Sequence, residues 1–127
     1  MNVYIAAPWA HKTDALVAQE QFEAAGFTVS SHWIRYHADT ITSEQELRAQ
    51  AIEDYVDIAE RTDVFVVLNL ALSEGKAFEL GIAYEAELPC IVVGTKDRNI
   101  FYHLPGITQV ASVDAAIVHC RMLATHD

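Results

Sequence analysis

Ser73, Gly75, Lys76 and Glu79 fall close together in the run Ser73-Glu74-Gly75-Lys76-Ala77-Phe78-Glu79-Leu80-Gly81-Ile82-Ala83. A carboxylate, a hydroxyl, an ammonium and a small residue at this spacing suit a site where Glu79 attacks an electrophilic carbon and the others hold an anion. The run follows Val64-Phe65-Val66-Val67-Leu68-Asn69-Leu70, a continuous β-rich stretch that reads as a strand buried on both faces. In an open α/β sheet, ligands bind beyond the carboxyl ends of the strands, which is where this polar loop must sit. Asn69, at the end of that strand, is a further candidate contact. A Glu at the opening of a helix is also favoured by the helix dipole alone, so Glu79 needs partners before it counts as a nucleophile.

Cleaving an N-glycosidic bond asks for a carboxylate under the anomeric carbon and an acid that protonates the departing base. Glu79 suits the first role. Asp54, Asp57 and Asp63 compete for the second. Asp63 begins a strand at the end far from the cleft and reads as a structural cap. Asp54 and Asp57 are one turn apart on the preceding helix; Asp54 is preferred, with Asp57 as the alternative. Tyr4, in the strand expected beside the central one, could hold the Glu79 carboxylate by a phenol hydrogen bond and keep its pKa down. Trp9 and Trp33 could stack on a flat heterocycle or belong to the core. His32 and His37 lack a third ligand at metal spacing, so no metal is expected.

The elements that must position these residues alternate along the chain. Strands are expected at Asn2 to Ala6, Phe27 to Ser30, Asp63 to Leu70, Pro89 to Gly94 and Ile107 to Val110. Helices are expected from Thr13 to Ala25 with Gly26 as C-cap, from a Ser43/Glu46 capping box to near Thr62, from Lys76 to Glu87, and from Val113 to Leu123. That alternation predicts one doubly wound, three-layer α/β domain spanning residues 1 to 127. Two long loops, residues 31 to 42 and 95 to 105, break the economy. The first carries His32, Trp33, Arg35, Tyr36 and His37.

Composition narrows the function classes. With 127 residues, 52% of them hydrophobic, the chain can build a single core. A formal net charge of -10 argues against a nucleic-acid polymer, which needs a basic surface. The two cysteines, Cys90 and Cys120, read as buried thiols in a reducing compartment. No run reaches membrane-spanning length, and the start lacks a basic segment followed by an apolar one, so a cytoplasmic protein without a membrane partner is expected.

The segment Val3-Tyr4-Ile5-Ala6-Ala7-Pro8-Trp9, the stretch Asp54 to Asp63 before a hydrophobic strand, and Ser73-x-Gly75-x-x-x-Glu79-Leu80-Gly81-x-Ala83 resemble the nucleoside 2-deoxyribosyltransferase family. That family includes the 2'-deoxynucleoside 5'-monophosphate N-glycosidases, and the resemblance covers nearly the whole chain. It implies a flavodoxin-like fold with a five-stranded parallel sheet and no cofactor. It implies Glu79 as the nucleophile of a covalent deoxyribosyl intermediate, Tyr4 as its orienting residue and Asp54 as the aspartate that handles the base, Asp57 remaining the alternative. Ser73 matches the serine that binds a 5'-phosphate in the hydrolases, where the transferases tend to carry aspartate. The short segment after the last helix leaves little room for the extension that closes the site in some transferases. The resemblance further implies a homodimer at least, with Asn99, Tyr102 or His103 completing a neighbour's site. The rival class is a non-catalytic nucleotide-binding or signalling module on the same fold. A phospho-receiver is disfavoured because Ala6, Ala7 and Pro8 stand where its acids would be, and a flavin protein because no phosphate loop follows the first strand.

Overall fold

In a computed structural model of the chain, residues 1–36, 43–95 and 98–125 are described. Five strands, β1 (Asn2–Ala6), β2 (Thr28–Val29), β3 (Val64–Leu68), β4 (Cys90–Val93) and β5 (Ile107–Val110), form one parallel sheet in the order β2-β1-β3-β4-β5. The helices are α1 (Lys12–Ala24), α2 (Trp33–Tyr36), α3 (Glu44–Arg61), α4 (Glu74–Glu85) and α5 (Val113–Thr125). This is the flavodoxin-like three-layer order, whose switch point lies between β1 and β3. The chain steps one way from β1 to β2 and the other way from β2 to β3. Right-handed crossovers therefore put α1 and α3 on opposite faces, with α5 packed beside α1 and α4 beside α3.

Burial explains the elements. All of β3 is buried, as its unbroken apolar run requires, and it pairs Tyr4 with Phe65 on one side and Phe65 with Cys90 on the other. Helix α1 buries Ala15, Ala18, Gln19 and Phe22, the i, i+3, i+4, i+7 stripe of a helix lying on a sheet. Helix α4 turns Lys76, Leu80 and Ala83 inward, and Glu79 belongs to the same stripe. Its two members nearest the strand ends are thus polar, and its two deeper members apolar. On α3, Gln50 and Asp54 likewise lie nearest the strand ends, ahead of the buried Asp57 and Ile58.

Several expected boundaries move. Helix α4 begins at Glu74 and not at Lys76, because the Ser73 Oγ accepts from the Lys76 N–H at 3.2 Å and so caps it. Glu79 consequently sits in the second turn, beyond the reach of a first-turn dipole preference. The same helix ends at Glu85 and not Glu87, since Glu87 turns to a left-handed φ of 62° while the Glu87 and Leu88 N–H groups close on Tyr84 and Ala83 carbonyls. The edge strand β2 is only Thr28–Val29, although Ser30 N–H still reaches the Val3 carbonyl at 2.9 Å. Trp33–Tyr36, expected as loop, form the short α2. His37, in the same expected loop, lies outside the described residues. In the second long loop, Asn99 caps a 3-10 turn over Ile100–His103. Both cysteines are buried and free, as expected. Among the described residues no helix is long and apolar enough to cross a membrane.

Candidate active site

At the carboxyl ends of β1 and β3, a pocket of about 190 Å3 is lined by Ala7, Trp9, Trp33, Gln50, Asp54, Ser73, Gly75, Lys76 and Glu79. Larger concavities exist, one of about 670 Å3 against Pro89, Cys90 and Gly106. That one opens at the amino ends of β4 and β5, the side of a parallel sheet where ligands do not bind.

Tyr4 stands behind Glu79, outside the pocket lining itself. It is fully buried, stacked on Phe65 with centroids 5.6 Å apart, and its phenol donates a hydrogen bond to Glu79 Oε2. Burial, then the charges of Glu79 and Asp54, push the phenol far above its ordinary value, so it remains a donor. Burial pushes the Glu79 carboxyl up to about 7, outweighing the Tyr4 hydrogen bond, which lowers the Glu79 pKa as expected of it. A carboxylate that has lost its water in this way is a better nucleophile than a solvated one.

Asp54 enters from α3. Burial first, then the negative charges of Glu79, Asp57 and Glu53, push its carboxyl up to about 8. A carboxylic acid that keeps its proton near neutrality is suited to protonate a leaving group. Its rival Asp57 is fully buried and faces elsewhere: Oδ1 accepts from Arg61 at 3.1 Å, and Oδ2 lies 2.8 Å from His32 Nδ1. Asp57 thus ties α3 to the segment after β2. Asp63 is the cap expected of it, taking the Asn2 N–H on Oδ2 at 2.7 Å.

Trp9 and Trp33 make the aromatic wall, 5.8 Å between centroids and tilted by 39°. Trp33 is buried and fixed by its Nε1–H donating to the Ile5 carbonyl at 2.8 Å. Trp9 is half exposed, with the Lys12 ammonium 4.8 Å from its ring centroid. Lys76 lines the pocket, yet its ammonium turns to the loop before α4, donating to Asn69 Oδ1 at 3.2 Å and the Ala71 carbonyl at 2.9 Å. Asn69 is buried and donates to the Gly94 carbonyl at 3.3 Å. Lys76 and Asn69 together brace the loop that presents Ser73.

The structure therefore gathers Tyr4, Trp9, Trp33, Asp54, Ser73, Gly75, Lys76 and Glu79, and leaves Asn69, Asn99 and His103 outside the pocket lining. Gln50 is the residue that sequence reading missed. Its position one helical turn before Asp54 was the available signal.

No protein-family model and no curated protein matches the sequence. Solved structures do. A CMP N-glycosidase of Clostridium botulinum superposes with a TM-score of 0.61 at 17% identity, covering 96% of this chain and 99% of that one. A 2-deoxyribosyltransferase of the psychrotolerant bacterium Bacillus psychrosaccharolyticus gives 0.68 at 16% identity, covering 92% and 90%. The chain shares its fold with both enzymes. A conserved protein of Enterococcus faecalis V583 superposes at 0.71 with 13% identity, over 96% and 98% of the two chains. The fold implied by the motif resemblance is the one observed.

Proposed function

We propose that the protein cleaves the N-glycosidic bond of 2'-deoxynucleosides or their 5'-monophosphates through a covalent deoxyribosyl-Glu79 intermediate. The observation that carries this reading is the Tyr4–Glu79 hydrogen bond at the base of a pocket that also holds a proton-bearing Asp54. A Glu79 oxygen bonds to C1' as the C1'–N bond breaks, the bond's electrons go to the base, and Asp54 supplies the proton the base needs. Water then attacks C1' as the C1'–O bond to Glu79 breaks, that bond's electrons return to the Glu79 carboxylate and the water gives its proton to Asp54, which completes hydrolysis; a second base taking the place of water completes transfer. Tyr4 fixes the attacking oxygen by holding the other one. The fold shared with an N-glycosidase and a 2-deoxyribosyltransferase supports the same chemistry.

A 5'-monophosphate is the favoured substrate. Ser73 caps α4 with its oxygen and keeps its hydroxyl proton to give, and the first N–H groups of the helix have no intrahelical acceptor. A Cβ at Gly75 would meet only the Ser73 Oγ at 3.8 Å, an ordinary contact, so packing within the chain does not demand glycine. Its bareness serves the pocket mouth. Chromatography of the protein incubated with each 2'-deoxynucleoside and its 5'-monophosphate, with and without a second free base, tests the proposal. Base release is the expected result, exchange would add transfer, and silence across the panel would favour a nucleotide-binding module. Ser73→Asp keeps a helix cap but sets a charge about 4 Å from a bound phosphate, worth about 1 to 4 kcal/mol of repulsion. It should lower kcat/KM at least about tenfold for the monophosphate and much less for the nucleoside; equal losses would refute the phosphate assignment.

The working unit is a homodimer. Tyr55 is 54% exposed and Phe78 73% exposed, flanking a groove between α3 and α4 whose other walls include Ala59, Ala77, Gly81 and Ile82. This apolar face adjoins the pocket, so a partner seated there could complete it with Asn99 or His103, Tyr102 being buried in its own core. Phe78→Glu should weaken association at least about thirtyfold, as loss of a central aromatic anchor does. Light scattering after size exclusion, read across a dilution series, would show it as monomer.

A further inference from the structure

Gln50 and Asp54 lie one turn apart on the inward stripe of α3, and both line the pocket that Trp9 and Trp33 wall. Side chains at this spacing have Cβ atoms about 5 to 6 Å apart and can converge on neighbouring atoms of one ligand. Among the described residues, the Gln50 side-chain amide has no hydrogen-bond partner. It therefore brings one carbonyl acceptor and one amino donor to the pocket. The wall is built of two indoles, 5.8 Å apart, a surface broad enough for a fused two-ring heterocycle.

We propose that Gln50 reads the substituent at C6 of a purine base whose N7 faces Asp54. This rests on the glycosidic reading above, which sets the base between the tryptophans and the acid. N7 and the exocyclic atom on C6 are neighbours on one edge of a purine, and a Gln amide matches that edge by hydrogen bonding. With Asp54 on N7, the side chain one turn away falls beside C6. The amide carbonyl accepts from a 6-amino group. Turned over, its amino group donates to a 6-oxo group. Wild-type protein accordingly accepts both adenine and hypoxanthine derivatives, and prefers either to a purine that carries hydrogen at C6.

The test swaps the donor without changing the shape. Gln50→Glu, read at a pH that ionises it, carries acceptors only, so a 6-oxo group meets like polarity while a 6-amino group keeps its partner. The ratio of kcat/KM for adenine over hypoxanthine 2'-deoxynucleotides should rise at least about tenfold. Gln50→Leu should remove the advantage of 6-substituted purines over the unsubstituted one. A merely structural Gln50 would lower every substrate alike.

Binding is read separately, without turnover. The chain has two tryptophans, and both line the pocket, so free adenine and hypoxanthine can be titrated by quenching of the intrinsic fluorescence. A Gln50→Glu shift toward adenine in both assays supports the proposal. Equal losses for the two bases, or a wild-type preference for pyrimidines, overturns it while leaving glycosidic cleavage standing. Quenching that follows Gln50 in a protein that cleaves nothing upholds the base-reading role and removes the glycosidic reading. No quenching and no cleavage defeats both.

Discussion

Replacing Glu79 by alanine is expected to cut turnover at least about a thousandfold, the scale on which loss of a covalent nucleophile is felt, while the protein stays folded. The two halves follow from one geometry. Glu79 sits where Tyr4 can hold Oε2 and leave the other oxygen to attack, and its buried setting disfavours its charge. The fold therefore loses little when the carboxylate goes. Linkage fixes the sign. The Glu79 carboxyl titrates near 4.5 in an ordinary setting and at about 7 in the folded protein. Between those values the native state holds a proton that the unfolded chain has released. Stability from this group is complete below 4.5 and is lost as the pH climbs through 7. Thermal melts should show wild-type Tm falling more steeply over that window than the Tm of Glu79→Gln. Chemistry gives the independent check. Azide added to Glu79→Ala should attack C1' from the vacated side and yield a deoxyribosyl azide, with the base as leaving group. A variant that keeps most of its unaided turnover would remove Glu79 as nucleophile.

The parts of this site that were legible in the sequence are those set by short-range pattern. The apolar run Val64 to Leu70 could only be a buried strand, and Ser73 to Glu79 follow it closely, so their place at its carboxyl end was fixed by chain connectivity alone. The Ser43 cap was equally local, and Ser43 Oγ does accept from the Glu46 N–H at 3.1 Å. What the sequence withheld depends on contacts between distant segments. Asp54 and Asp57 look alike on a helix, and the choice between them is made by His32, a residue 25 positions away, which pairs with Asp57. The Lys76 ammonium was expected to face an anion. It is instead drawn to Asn69 and Ala71, because a buried cation needs oxygen partners at once. Gln50 sits in a stretch of polar residues opening α3, where only its place one turn before Asp54 marks it until the fold turns it toward the tryptophans. The net pKa of Glu79 was out of reach for the same reason: a hydrogen bond can be guessed from Tyr4, but the desolvation that outweighs it is a property of the packed helix.

The pH profile of kcat/KM should be a narrow bell, rising as Glu79 loses its proton near 7 and falling as Asp54 loses its own near 8. The order follows from the hydrogen bond. Tyr4 donates to Glu79, which favours the charged form there, and the resulting charge then raises Asp54. The two limbs belong to the pair as a unit, since each carboxyl feels the other. Asp54→Asn should abolish the alkaline limb and slow cleavage of natural substrates by about a hundredfold or more. A substrate whose leaving group departs without a proton should recover most of that loss. Carboxyl resonances in carbon NMR separate the two sites directly. In Glu79→Gln, where the neighbouring charge is gone, the Asp54 step should move below its value of about 8, because burial and the charges of Asp57 and Glu53 alone then hold it up. An Asp54 step unmoved by that change would mean the two carboxyls do not share a site, and a bell with these limbs would then need another acid.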